Sequence, residues 1–399
     1  MHRRDIYLNQ LISFRGKQLI KVITGVRRSG KSALMDLYEE YLLANGVSAK
    51  SIIRINFESV DFNEIQDYLI LHEYIKSRLK HGEMTYILLD EVQLVPSWEK
   101  AVNSIRLIKN TDIYITGSNA WLLSSELSTL LSGRYVEIKL LPLSFKEYLG
   151  FNGYGVTGDL LAYFNRYIKF GAFPGITELR GLDSSISALL NGIYNTIIVK
   201  DVVQRGSVRD PALLERLAQY MAGNIGNITS TKKISDTLTS YGQKTTSETI
   251  DNYINLLENA YIIYRARRFD LKGKSHLKTH EKFYFIDTGI RNELVGYRGD
   301  DYGFVLENIV YFELIRRGYQ VSVGKIGDLE VDFAAVKPDK TIYYQVCATM
   351  LTDEVKEREL RPLEKIPDHY EKVVLSMDRT PMTDYNGIRN VNLIDFLLS

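Results

Sequence analysis

Gly25-Val26-Arg27-Arg28-Ser29-Gly30-Lys31-Ser32 fits the pattern G-x-x-x-x-G-K-[ST] at every fixed position, between an apolar run and a helical pattern. The two glycines let the backbone curl until successive N–H groups point at phosphate oxygens, beside the positive end of the following helix. Gly25, Arg28, Ser29, Gly30, Lys31, Ser32 and Ala33 are the expected cradle, in which Lys31 reaches the β- and γ-phosphates of a nucleoside triphosphate and Ser32 offers its hydroxyl to Mg²⁺. Further along, Tyr86-Ile87-Leu88-Leu89-Asp90-Glu91 is an apolar run that ends in two carboxylates. Asp90 would hold Mg²⁺ through water. Glu91 would orient or deprotonate the attacking water, which needs a carboxylate within about 3 Å of it. Ser118 and Asn119 close a third apolar run and are the candidate sensors of the γ-phosphate or its water.

These groups converge only if the elements between them alternate. Leu19–Thr24, Ser51–Phe57, Thr85–Asp90, Asp112–Gly117 and Tyr135–Leu140 read as strands; segments after Lys31, from Glu64 to Lys80, from Trp98 to Lys109 and from Leu122 to Leu131 read as helices. Such alternation implies a parallel sheet covered on both faces, with its C-terminal edge towards the phosphates.

Composition limits the classes of function. The 399 residues are 45% hydrophobic, enough for more than one core, because single cores stop growing at about 250–300 residues. With 50 basic and 49 acidic residues the net charge is +1, so binding to nucleic acid must come from local patches. The single cysteine, Cys347, excludes an intramolecular disulfide or a cysteine-rich zinc site and fits a reducing cytoplasm. No uninterrupted apolar stretch approaches the ~20 residues of a membrane span, so neither export nor membrane insertion is expected.

Taken together, Gly-Val-Arg-Arg-Ser-Gly-Lys-Ser, Leu-Asp-Glu-Val-Gln, Thr-Gly-Ser, Gly-Arg-Tyr and Leu-Pro-Leu-Ser-Phe-Lys-Glu-Tyr resemble the prokaryotic AAA+ ATPases whose C-terminal domain is known only as a domain of unknown function. The resemblance extends over most of the chain and implies ATP as the nucleotide. It also implies an AAA+ P-loop core over residues 1–144, with a parallel sheet, and a helical lid over residues 145–206. It places Arg134, before the last core strand, where AAA+ proteins often present an arginine finger to a neighbouring subunit, so homo-oligomerisation is an expectation. A surface arginine in an ion pair is the alternative. Glu58 and Arg180 are secondary candidates, for coupling to a partner and for approach to the nucleotide.

Residues 207–286 read as three helices, with Asp210-Pro211 opening the first and Ser247 capping the third, followed by strand Tyr261–Arg268 and a return strand Lys282–Asp287. That order is a winged helix-turn-helix, which would place its third helix in the major groove of double-stranded DNA. Lys244, Arg265, Arg267 and Arg268, with Lys272, Lys274 and Lys278, are the expected phosphate contacts; a packing or protein-interaction module is the alternative. Residues 287–399 resemble the PD-(D/E)xK restriction-endonuclease-like α/β fold. Glu307, Asp332 and Gln345 stand at its site positions, but Cys347 replaces the lysine and Gln345 carries no charge, so an inert scaffold or DNA-docking domain is expected rather than a nuclease.

Overall fold

The computed structural model describes residues 3–80, 82–123, 131, 133–155, 157–206, 208–273, 275–276, 280–299, 301–379 and 383–399. The chain forms two compact units, one of Met1–Pro142 with Asn259–Tyr261, the other of Leu143–Glu258 with Ile262–Ser399.

In the first unit, β1 (Ile20–Thr24), β2 (Ile52–Asn56), β3 (Thr85–Asp90), β4 (Thr111–Gly117) and β5 (Tyr135–Lys139) form one sheet in the order β2-β3-β4-β1-β5. Every pairing in it is parallel. Successive residues of a strand face opposite sides, so β3 sends Ile87 and Leu89 into one core and Tyr86 and Leu88 into the other. The first core is closed by α3 (Tyr68–Lys76) and α4 (Trp98–Arg106), through Leu71, Ile75, Val102 and Ile105. The second is closed by α1 (Asp5–Ser13) and α2 (Lys31–Ala44), through Leu8, Leu11, Leu34 and Tyr38. This is why the strands read as continuous apolar runs. The strand order seats β1 beside β4, so the loop leaving β1 lies next to the end of β4, with β3 one strand further on. The elements after β4 depart from expectation: Ala120–Leu123 is a short 3-10 turn, and most of the expected helix Leu122–Leu131 falls on 124–130, outside the described residues.

The second unit opens with α5 (Phe145–Asn152), whose capping box joins Ser144 and Glu147 reciprocally. Then come α6 (Leu160–Phe170) and α7 (Asp183–Thr196), which continues as a π-helix over Ile197–Val203. The run Asp183–Val203 is 21 residues long and apolar enough to cross a membrane by length and composition, although Asp183, Lys200 and Asp201 interrupt it. Its side carrying Ile186, Leu190, Ile193 and Ile197 is buried within the unit. Helices α8 (Pro211–Gly223), α9 (Thr231–Ser240) and α10 (Ser247–Asn259) follow.

The strand expected from Tyr261 to Arg268 is divided. β6 (Ile263–Ala266) pairs antiparallel with β9 (Lys282–Phe285), but β7 (Arg268–Asp270) leaves it, pairs with β8 (Ser275–His276), and joins the C-terminal sheet. That sheet has eight strands, in the order β14-β15-β13-β12-β11-β10-β7-β8. Its remaining members are β10 (Gln320–Ile326), β11 (Leu329–Lys337), β12 (Lys340–Val346), β13 (Glu371–Ser376), β14 (Thr383–Tyr385) and β15 (Ile388–Asn392). Helices α11 (Thr288–Val295), α12 (Tyr302–Arg316), α13 (Asp353–Glu364) and α14 (Leu393–Leu398) complete the unit. Asn308 of α12 clips onto β9, its Oδ1 accepting from the Phe285 N–H at 2.8 Å and its Nδ2 donating to the Phe285 carbonyl at 2.9 Å.

Candidate functional site

The phosphate loop leaves β1 at Thr24 and enters α2 at Lys31, with Gly30 left-handed (φ 98°) at the helix N-cap. Gly25 has φ 148°, and a Cβ built there would lie 2.2 Å from the Leu140 carbonyl oxygen. A side chain at this position would therefore both strain the backbone and push the loop off β5. Arg28, exposed at the tip, also has a positive φ of 68°. Arg4, 3% exposed, secures the loop from beneath: its guanidinium donates to the Ser29 carbonyl at 3.0 Å and to the Leu141 carbonyl at 3.0 Å. Gly25→Ala is expected to lower nucleoside triphosphate affinity at least about tenfold, the equivalent of the ~1–3 kcal/mol such backbone strain costs. Calorimetric titration against an unchanged far-UV circular dichroism spectrum checks this; wild-type affinity would show that the loop tolerates displacement from Leu140.

The two carboxylates at the end of β3 are brought to this loop. Lys31 Nζ lies 3.7 Å from Glu91 Oε1 and donates to the carbonyls of Gly25 at 3.1 Å and Val26 at 3.3 Å. Asp90 is fully buried and Glu91 nearly so. The Thr116 hydroxyl of β4 donates to Asp90 Oδ1 at 2.5 Å and accepts the Glu91 N–H at 2.9 Å, which orders both acids from the neighbouring strand. Gln93 Nε2 donates to Glu91 Oε2 at 2.5 Å. Arg54 of β2 donates to Asp90 Oδ2 at 3.3 Å. Glu91 has φ 54°, a left-handed conformation unusual for a residue with a side chain, and such strain gathers at functional positions.

Ser118 and Asn119 follow β4 at the same edge of the sheet and are fully buried. Their side-chain polar atoms Ser118 Oγ, Asn119 Oδ1 and Asn119 Nδ2, together with Ser29 Oγ and Gln93 Oε1, have no hydrogen-bond partner among the described residues. Buried polar groups without partners are costly, and several in one region fit a missing polar ligand. Ser32 and Ala33 lie exposed in the first turn of α2. The hydroxyl of Ser32 and the carboxylate of Asp90 are the hard oxygen donors a Mg²⁺ ion takes. Glu58 is spent locally, accepting from Arg27 of the loop at 3.2 Å.

Arg134 stands elsewhere in the same unit. Its carbonyl accepts the Ile20 N–H at 3.0 Å, at the start of β1, whereas the phosphate loop leaves the other end of that strand. At ~3.3 Å per residue, the two are separated by about 16 Å along the strand. The Arg134 side chain is exposed and has no ion-pair partner among the described residues; its charge helps lower the pKa of Arg106, chiefly depressed by burial. The ion-paired surface arginine is thus not what the described residues show.

In the second unit, Arg180 is engaged with the Phe151 carbonyl at 2.9 Å. Arg265, expected to meet phosphate, is instead committed internally. It donates to Glu258 at 2.9 Å and Glu281 at 3.0 Å, lies 3.8 Å from Asp251, and its side chain is 17% exposed. Three carboxylates therefore neutralise it. Arg268 is half-buried in β7, while Lys244, Arg267 and Lys272 remain exposed; Lys274 and Lys278 lie outside the described residues.

The residues of the nuclease-like pattern do meet, with a difference. Gln345 Oε1 accepts the Asp332 N–H at 3.3 Å, and Asp332 Oδ2 accepts the Val346 N–H at 2.8 Å. Lys282 of β9 fills the space between the acids, 2.8 Å from Glu307, 2.7 Å from Glu330 and 3.6 Å from Asp332. Burial opposes its charge, but Glu307, Asp332 and Glu330 together outweigh burial and raise the Lys282 pKa. Burial and then Glu307 push the Asp332 pKa up, which favours its protonated form. Cys347 is a buried thiol whose pKa burial raises, which keeps it neutral. Among the described residues no group of three or more His, Cys, Asp or Glu is arranged to hold a metal ion.

Sequence reasoning missed Arg4, Arg54, Gln93, Thr116 and Lys282. Gln93 and Thr116 stood inside the motifs Leu-Asp-Glu-Val-Gln and Thr-Gly-Ser without an assigned role, and Arg54 left a signal as the charged residue in the middle of Ile52-Ile53-Arg54-Ile55.

Comparison with known proteins adds a family. Residues 17–149 match the model of an AAA domain (AAA_14), and residues 161–301 match that of a domain of unknown function (DUF8612). An uncharacterized protein of Haemophilus influenzae is 41% identical over 401 residues, covering 100% of this chain and 99% of its own length. The uncharacterized protein MJ1544 of Methanocaldococcus jannaschii is 34% identical over 359 residues, 87% of this chain and 78% of its own. Among solved structures, the Walker-type ATPase PABY2304 of Pyrococcus abyssi is 16% identical, covers 74% of this chain and 96% of that one, and superposes with a TM-score of 0.47. The Orc1 protein of Aeropyrum pernix, solved in complex with DNA, is 14% identical, covers 74% and 92%, and has a TM-score of 0.33.

Proposed function

We propose that this chain, which belongs to one family with the Haemophilus influenzae and Methanocaldococcus jannaschii proteins and carries an AAA domain, is an ATPase that hydrolyses ATP with Mg²⁺ and is completed by a second copy of itself. The observation that carries the reading is the placing of Glu91 Oε1 3.7 Å from Lys31 Nζ, which joins the phosphate loop and the paired carboxylates in one buried site.

Lys31 donates to the loop's own carbonyls at Gly25 and Val26. With ATP bound, its ammonium exchanges those weak neutral acceptors for phosphate oxygens, a stronger charge-assisted contact. Ser32, and Asp90 through water, would hold Mg²⁺, which would supply neutralisation of phosphate charge. Thr116 keeps Asp90 and Glu91 in register with each other. Gln93 fixes one oxygen of Glu91, leaving the other to take the proton of the attacking water. The unpartnered groups of Ser118 and Asn119 position that water and the γ-phosphate. Arg134 is too far along β1 to serve its own loop, so it stabilises transition-state charge in a neighbouring subunit, a contribution of about 10³–10⁵ in rate.

Mixing subunits tests the last step. Arg134→Ala and Lys31→Ala are each expected to be inactive alone. Their mixture recovers turnover, because one subunit supplies an intact loop and the other an intact finger. Absence of recovery at every ratio counts against action in trans.

The work done with the ATP is proposed to be a change in engagement of double-stranded DNA, with α8–α10 and β6–β9 acting as a winged helix and with Lys244 and Arg267 as phosphate contacts. A specific observation favours the second reading, an ATP-gated switch between proteins: the carboxylates around Arg265 remove the centre of the basic cluster. Turnover measured with and without duplex DNA over a salt series separates the two, since phosphate contacts predict stimulation that falls steeply with salt.

A further inference from the structure

β2 is the terminal strand of the first sheet and, among the described residues, pairs only with β3. Against it lies an open cleft of about 460 Å³, lined by the consecutive residues Ile52, Ile53 and Arg54 together with Tyr74, Arg78, Lys80 and Lys50. No carboxylate is among the described residues that line it. Lys50 and Lys80 are exposed and form no ion pair among the described residues. Arg78 is stacked 3.6 Å from the centre of the Tyr74 ring and donates to the Tyr74 carbonyl and the Ser77 hydroxyl, and it has no acidic partner among the described residues. Of the neighbouring acids, Asp36 and Glu39 of α2 hold Arg54, whereas Glu73 pairs with Lys76 and Glu83 accepts from Ser51, which leaves Lys50, Arg78 and Lys80 as the cleft cations without a carboxylate among the described residues.

Two features select the occupant. A run of consecutive edge-strand positions along a cleft offers backbone N–H and C=O groups to an extended chain, the geometry of strand addition. Cations without carboxylates favour acidic side chains on that chain. A single-stranded nucleic acid would need open aromatic faces for its bases, and Arg78 covers that of Tyr74. We propose that the cleft at the free edge of β2 docks an extended acidic segment of a partner protein, whose carboxylates meet Lys50, Arg78 and Lys80.

The cleft also reaches the site. Arg54 lines it and donates to Asp90 at 3.3 Å, so an entering carboxylate competes with Asp90 for one guanidinium. Occupancy of the cleft thereby frees Asp90 and changes the Mg²⁺ dependence of turnover. This link rests on the ATPase reading; the docking itself does not.

Fluorescence anisotropy with the full chain tests the proposal, using a labelled peptide of about ten residues that alternates valine with glutamate, and its glutamine counterpart. The glutamate peptide is expected to bind at least about tenfold more tightly than the glutamine peptide and to be released by salt. The double variant Lys50→Glu/Lys80→Glu, with the wild-type circular dichroism spectrum, is expected to lose that preference. Equal affinity of the two peptides, or unchanged binding by the double variant, overturns the docking site. Displacement of the peptide by a tighter-binding oligonucleotide assigns the cleft to nucleic acid and overturns it as well. A saturating peptide that binds yet leaves the Mg²⁺ half-saturation of ATP turnover unmoved overturns the Arg54 link alone. A chain that binds the peptide but never turns over ATP sinks the ATPase reading and leaves the docking site standing.

Discussion

Glu91→Gln is expected to bind ATP as the wild type does and to turn it over about 10²–10⁴-fold more slowly, the range a positioned general base contributes. The substitution removes little else. Glutamine has the same length and shape, and its amide can still pair with Gln93, whose Oε1 has no partner among the described residues. The Thr116 contact is made by the backbone N–H of residue 91 and survives any change of side chain. The left-handed φ of 54° is imposed by the turn out of β3, and glutamine meets it at a cost similar to that of glutamate. What is lost is the capacity to accept a proton and one negative charge beside Lys31. Loss of that charge relieves Lys31 of a competitor, so binding holds or tightens slightly while the chemical step slows. Calorimetry for binding and single-turnover kinetics for chemistry separate the two, and turnover within tenfold of wild type would remove Glu91 from the role of base. Lys31→Ala is the contrasting variant, because it loses binding and turnover together.

The contrast between what was readable in the chain and what was not follows the length scale of the forces. The phosphate loop was legible because its determinants are local: two glycines at fixed spacing, an apolar strand before them and a helix after. Asp90 and Glu91 were legible because they terminate a single apolar run. Thr116 was not, since its role depends on the parallel register that sets β4 beside β3, which pairs Leu89 with Ile115 and carries the end of one strand to the end of the other. Arg4 lies in a charged stretch before α1 that resembles any solvated terminus, and its burial under Ser29 appears only when α1 packs on the sheet. The basic cluster failed at Arg265 for the same reason. Counting cations along Tyr261–Lys278 is a local operation, whereas Glu258 and Glu281 reach Arg265 from a helix and a returning strand. The strand expected over Tyr261–Arg268 was overextended because alternation persists through Arg268, although the segment changes partner and leaves β9 for β10.

Lys282→Met is expected to destabilise the second unit by about 3–5 kcal/mol, the cost of removing one member of a buried charge network. Methionine fills nearly the same volume, so packing is preserved and the electrostatic term is isolated. Lys282 is 3% exposed and holds Glu307 and Glu330 at hydrogen-bond distance, with Asp332 at 3.6 Å. Without the ammonium, Tyr284 can satisfy only one oxygen of Glu307, to which it already donates at 2.5 Å, and the buried carboxylates of Glu307 and Asp332 are left facing the half-buried Glu330. The sign of the pH dependence is fixed by the direction of the shift. The Lys282 pKa is raised in the folded chain, so its contribution is fully present below the unfolded lysine value of about 10.4 and is lost only as pH rises through the higher folded value. The wild type therefore holds this stability across neutral pH, while the variant recovers part of its loss on acidification, because burial and Glu307 raise the Asp332 pKa and its protonation relieves the repulsion. Urea denaturation followed by two probes localises the effect. Trp98 and Trp121, the two tryptophans of the chain, both belong to the first unit, so their emission follows that unit, whereas far-UV circular dichroism follows both. The expected result is a dichroism transition moved to lower urea with the tryptophan transition in place. A shift worth less than about 1 kcal/mol at pH 7 would mean that the carboxylates around Lys282 find other partners.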